Sequence, residues 1–182
     1  FSLCEHKFKE KNLEYEINVA PAVANYTYTD HKRIAQIVIN ILTNAVRFTM
    51  SGKILIEVDT LNNQTLRITI RDTGIGMDDN TQTRLRYHLT SGMLKGKISS
   101  SSAGIGMGLT IAHRIAQKLG PNEDEGLEFE SSLGEGSQFS FKVHNRIEDA
   151  SLDDIDLALS DVVEFDGKRK LSKGISHLHL VR

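Results

Sequence analysis

The stretch HKRIAQIVINILTNAVRF, residues 31–48, constrains the fold more than any other part of the chain. Ile34, Ile37, Val38, Ile41, Leu42, Ala45 and Phe48 recur at helical spacing, with Asp30 placed to cap the start. The spacing predicts an amphipathic helix whose apolar side must be covered by a second layer. Its other stripe is unusual. Asn40 and Asn44 lie one turn apart, and Arg33 and Arg47 fall seven residues either side of Asn40. Asn is a mediocre helix former, because its amide competes for backbone groups. A merely solvated face is the plain alternative, but such faces are usually written in Lys and Glu. Amide oxygens are hard donors suited to Mg²⁺, and guanidinium groups suit phosphate.

Strands surround this helix. LEYEINV (13–19) alternates and ends at Pro21, and YTYT (26–29) reads as a second short strand. KILIEVDTL and TLRITIRD form a hairpin around Asn62-Asn63, with Ile54, Ile56 and Val58 on one face and Leu66, Ile68 and Ile70 likewise. A short helix is expected over about 78–90. A longer one runs from near Gly108 through LTIAHRIAQKLG, where Gly120-Pro121 stops it. GLEFESS and SQFSFKVHN are two more strands, joined by LGEG. This order favours an α/β sandwich, one mixed sheet with helices packed on one face. Residues 1–12 are charged, lack clear periodicity and read as the end of an upstream helix or linker.

The bulk numbers exclude several classes. The chain has 182 residues, 39% hydrophobic and 25% charged, enough for one domain with a real core. A net charge of −2 gives no broad electrostatic case for nucleic acid or an anionic membrane. Neither a membrane-spanning apolar run nor a signal peptide is evident, so direct membrane contact by this piece is not expected. The single cysteine, Cys4, fits a reducing compartment, which points to the cytoplasmic side. The chain starts with Phe and reads as a piece of a longer protein.

Two further motifs carry chemistry. DTGIGM, Asp72 to Met77, follows a strand directly. Gly74 and Gly76 let the backbone turn sharply and approach a flat ligand. A carboxylate at a strand end can accept a hydrogen bond from the exocyclic amine of adenine, where guanine offers a carbonyl. A plain Asx turn is the competing reading. AGIGMGLTIAHRIAQ brings Gly104, Gly106 and Gly108 into a helix start, where free N–H groups and the helix dipole suit an anion. A hinge feeding a helix would look similar. Residues 73–108 hold seven of the 14 glycines, and beyond the short helix this segment can bury little.

In this order, N-x-x-x-N-A, D-x-G-x-G-M, G-x-G-x-G-L and finally GEGSQF resemble the GHKL nucleotide-binding superfamily. Within it they are similar to the catalytic ATP-binding domain of a sensor histidine kinase, of the hybrid kind. The resemblance covers about residues 8–146 and implies an α+β fold, a two-layer α/β sandwich. It also implies roles. Asn44 supplies its oxygen to Mg²⁺. Asn40 lines the phosphate side, and Arg47, in place of the usual Lys, reaches phosphate. Asp72 binds the adenine amine in a pocket shaped by Gly74 and Gly76. Gly104, Gly106 and Gly108 close over the phosphates, and Ser137 assists Asp72 through water. Lys95 and Lys97 are candidate lid contacts, though solvated loop lysines are the simpler reading.

One departure stands out. The aromatic segment usual between the glycine boxes is poorly matched, with Tyr87 and Leu89 as its candidate remnant. None of the seven histidines sits in a phosphoacceptor setting, and His113 reads as a surface residue. The acceptor histidine is therefore expected on a separate dimerisation domain. Two alternatives stay open: a degenerate nucleotide-sensing or docking module, and a GHKL ATPase. Residues 147–166 hold eight acidic and no basic residues, and 168–173 four basic ones, which reads as a linker, 147–182, leading to a receiver domain. ISHLHLV near the end reads as the first strand of that domain.

Overall fold

The computed structural model describes residues 2–23, 27–91, 107–145 and 180–181. Eleven elements are present among them: α1 (Ser2–Glu10), β1 (Glu14–Val19), β2 (Thr27–Tyr28), α2 (His31–Phe48), β3 (Lys53–Asn62), β4 (Thr65–Asp72), α3 (Asp79–Thr90), α4 (Met107–Leu119), β5 (Glu128–Ser132), β6 (Gly136–His144) and β7 (Leu180–Val181). Five strands form one mixed sheet in the order β1-β3-β4-β6-β5. β1 pairs with β3 in parallel, which requires the crossover through α2, and the other pairings are antiparallel. The expected α+β sandwich is present. β2 stands apart from this sheet and pairs in parallel with β7. The described end of ISHLHLV thus lies beside β2 of the same chain.

Strand alternation builds the core. Ile17, Ile56, Ile70, Phe139 and Phe129 are successive cross-strand partners on the helix-facing side of the sheet. Over them pack Ile34, Ile37, Ile41, Leu42, Ala45 and Val46 of α2, with Leu109, Ala112, Ile115 and Ala116 of α4. Val38 packs against this core only partly buried, and Phe48 is likewise half-buried at the helix end. α2 runs over the predicted residues, and the side chain of its N-cap Asp30 accepts from the Arg33 N–H.

The charged start of the chain is part of the domain. Asn12 takes a left-handed φ of 52° one residue past the α1 C-cap. The Leu13 N–H donates to the Phe8 carbonyl (2.9 Å) and the Asn12 N–H to the Lys9 carbonyl (3.2 Å), the Schellman pattern. Phe8 and Leu13, the apolar pair of that motif, are both buried, and the Phe8 ring lies 5.1 Å from that of Tyr15. No helix among the described residues is long and apolar enough to cross a membrane.

Candidate functional site

Asp72 is the last residue of β4 and points to the helix side, next along from Ile70. Its cross-strand neighbours are Ile54 and Ser137, so a carboxylate occupies a row that would otherwise continue the core. Burial pushes its pKa above the usual carboxylate range, while the Gly74 N–H, the Ser137 backbone and the Thr49 side chain oppose that shift. The Gly74 N–H donates to Asp72 Oδ1 at 2.9 Å, which fixes the carboxylate at the base of the following turn.

That turn is held by its surroundings. A Cβ on residue 74 would come within 2.6 Å of the Phe48 carbonyl and 2.7 Å of Asp72 Oδ1. Gly76 has a φ of 64°, and a side chain there would run into the Ser132 carbonyl. The Ile75 N–H donates to the Phe48 carbonyl, so the turn is tied to the end of α2. Ser131 Oγ accepts from the Met77 N–H (2.9 Å), and Gln82 Nε2 donates to the carbonyls of Met77 and Ser131. An isolated Asx turn requires none of these anchors.

Asn40 and Asn44 are both half-buried on α2, outside its buried stripe. Asn40 faces the first turn of α4: a Cβ on Gly108 would sit 3.3 Å from Asn40 Oδ1. The glycine lets the amide and the helix start approach closely. Arg47 is exposed in the last turn of α2, its guanidinium 5.4 Å from the centre of the Phe48 ring. The structure therefore brings Asn40 to Gly108, and the end of α2 to Asp72, Gly74 and Gly76. Gly104, Gly106, Lys95 and Lys97 lie outside the described residues.

Some expectations need refinement. The Ser137 hydroxyl lies 3.0 Å from Ser131 Oγ, so the serine meets Asp72 through its backbone. Arg33 shares the helix stripe but sits at the far end, 3.8 Å from Asp30. His113 is not a surface residue. It is half-buried, its Nδ1 accepts from the Leu127 N–H at 3.0 Å, and burial lowers its pKa. Leu89 is buried, whereas Tyr87 is largely exposed.

Sequence reasoning missed Ser131, Gln82 and Thr49. Thr49 is fully buried beside Gly74. Its only signal was its place at the end of NAVRFT.

A mixed sheet backed by helices, with a buried strand-end aspartate beside an asparagine-bearing helix, defines a nucleotide-binding sandwich of the GHKL type. The chain belongs to the histidine kinase-, DNA gyrase B- and HSP90-like ATPase family, whose model matches residues 29–147, and within it to the histidine kinase catalytic domains. It is 32% identical over 147 residues to the signal transduction histidine-protein kinase BarA of Escherichia coli K12, covering 79% of this chain and 15% of BarA. It is 34% identical over 113 residues to the ArcB homologue of Haemophilus influenzae, an aerobic respiration control sensor protein, covering 62% of this chain and 33% of that protein. The chain thus spans a third or less of the length of these relatives. The catalytic domain of histidine kinase ThkA shares the fold, with a TM-score of 0.59 at 20% identity over 79% of this chain and 88% of that one. Full-length ShkA in complex with AMPPNP gives a TM-score of 0.56 at 22% identity, over 79% of this chain and 28% of ShkA.

Proposed function

We propose that this domain binds ATP with Mg²⁺ and passes the γ-phosphoryl group to a histidine on a separate helical dimerisation domain. Asp72 accepts a hydrogen bond from the adenine amine on the carboxylate that the Gly74 N–H already orients. Asn40 and the start of α4 line the phosphates, where the N–H groups of a helix start favour an anion. Arg47 reaches the phosphates from the last turn of α2 as a planar donor fork.

The donor set fits Mg²⁺. Among the described residues no group of three or more His, Cys, Asp or Glu could hold a metal ion. The protein's share would be the single amide oxygen of Asn44, the remaining positions falling to phosphate and water, as this ion favours. When bound, Mg²⁺ neutralises charge on the phosphate oxygens.

The observation that favours a kinase over a self-sufficient ATPase is the chemistry of α2. This helix contains no Asp or Glu, and the residue against Gly108 is an amide. An amide takes no proton at neutral pH, so Asn40 cannot activate water as a general base. The nucleophile and its base then come from the other domain. The acidic-then-basic residues 147–182 would lead on to a receiver domain.

The test supplies the upstream helical domain together with labelled ATP. Acid-labile phosphohistidine is expected on that domain, with little hydrolysis by the catalytic domain alone. A domain that binds ATP but forms no phosphohistidine would be a degenerate binding module. Rapid hydrolysis by the domain alone, abolished by Asn40→Ala, would instead mark an ATPase.

A further inference from the structure

A cavity of about 700 Å³ opens at the other end of the sandwich. It lies between the start of α2, the second half of α4 and the end of β6. β4 measures the separation: Asp72 pairs with Ser137, whereas Thr65 at its other end pairs with His144, which lines the cavity. Seven residue steps of strand put the two ends ~23 Å apart. Nucleotide binding at the Asp72 end makes no use of this cavity, and a ligand here requires none at the other end.

The wall is basic. His31, Lys32, Arg33, Arg114, Lys118 and His144 line it, with Asp30 the one acidic lining residue. Asp30 is occupied as the N-cap and lies 3.8 Å from Arg33, and Lys118 meets Glu123 at 2.6 Å. These acids offset part of the charge of four permanent cations. Nδ1 of His31 and Nδ1 of His144 are buried without hydrogen-bond partners. A cavity with this lining suits an oxyanion, and a volume of this size exceeds what one small ion needs.

The chain carries its own candidate occupant. Residues 147–166 contain eight acidic and no basic residues, the first of them Glu148, four positions after His144. The exit from β6 is fixed at the cavity rim, because the Tyr28 N–H donates to Asn145 Oδ1 (3.0 Å) and Tyr28 also lines the cavity. The chain is back at the same rim at Leu180–Val181, which pairs with Thr27–Tyr28. The chain that carries the acidic stretch is thus held beside the basic wall at Asn145 before it and at Leu180–Val181 after it, which gives its carboxylates a raised effective concentration there. We propose that this cavity is a docking site for carboxylates, and that its occupant is the acidic run 148–166 of the same chain.

The test uses the full chain with every Asp and Glu of the run replaced by Asn or Gln. A fluorescent peptide of residues 147–166 is then titrated and followed by anisotropy. It should bind the neutralised chain at least ~10-fold more tightly than the unmodified chain, whose own run competes. Raising the salt should weaken binding. Adding Lys32→Glu and Lys118→Glu to the neutralised chain should abolish it, with circular dichroism confirming the fold. If Lys118→Glu unfolds the chain by losing Glu123, Lys32→Glu alone carries the test. Equal affinity for the neutralised and unmodified chains would overturn the proposal, as would indifference to Lys32→Glu. Displacement of the peptide by inorganic phosphate at equal concentration would mark a simple anion site and also overturn it. Self-association of the unmodified chain in sedimentation, lost on neutralising the run, would assign the cavity to a second copy and overturn it too.

Discussion

At the scale of single residues, the role proposed for Asp72 sets function against stability. Burial raises its folded-state pKa, whereas in the unfolded chain it ionises in the usual carboxylate range. Between those two values the folded state holds a proton that the unfolded state has lost. Stability therefore falls as pH rises through that window, and at neutral pH the ionised group costs the fold. Asp72→Asn keeps an acceptor for the Gly74 N–H and removes the charge. The variant should melt at a higher temperature than the parent at pH 7, and the gap should close as pH falls toward 4. Melting curves of both chains across that range check this; a less stable variant at pH 7 would contradict it. A carboxylate kept where an amide would be more stable is expected of a ligand-binding group. DTGIGM marked this residue in the sequence, because strand alternation continued past Ile70 puts position 72 on the core side. Thr49, Ser131 and Gln82 gave no such signal. Their roles depend on contacts such as Met77 with Ser131, between residues 54 positions apart.

At the scale of elements, the amphipathic segments and the short helix α3 were legible, whereas the part α1 plays in the domain was not. α2 spans the residues its spacing predicted, since six buried apolar side chains leave one orientation against the sheet. α1 has no comparable stripe, and among its described residues Phe8 and the Asn12 turn anchor it. That turn delivers Lys11 to the end of α2. Lys11 Nζ donates to the carbonyls of Val46 (2.7 Å), Arg47 (3.1 Å) and Thr49 (3.2 Å). A cation there satisfies carbonyls that lack helical partners and complements the helix dipole. Lys11→Met should cost ~1–2 kcal/mol in urea unfolding. It should also weaken nucleotide binding, because Phe48 and Thr49 adjoin the Asp72 turn. Unchanged stability would mean that the end of α2 is held by packing alone. His113 was misread for a similar reason. Its place beside Arg114 looked solvated, but the Leu127 N–H reaches it from a segment whose position the sequence did not reveal.

At the scale of the whole molecule, the sandwich separates two kinds of chemistry. One end gathers Asp72, the Gly74–Gly76 turn, the asparagines of α2 and the start of α4. The other end gathers the basic cavity. The first end was readable because its motifs occur in a fixed order along the chain. The second was not, since its basic residues come from α2, α4 and β6, segments far apart in the chain. Every role proposed for the first end depends on its being an adenine-specific nucleotide site. Isothermal titration calorimetry of the chain with ATP and with GTP, in the presence of Mg²⁺, is the decisive experiment. Saturable ATP binding is expected, with GTP binding weaker by a factor of ~10⁴ or undetectable, and with ATP binding lost in a folded Asp72→Asn variant. Equal affinity for the two nucleotides, or tight ATP binding retained by that variant, would contradict it.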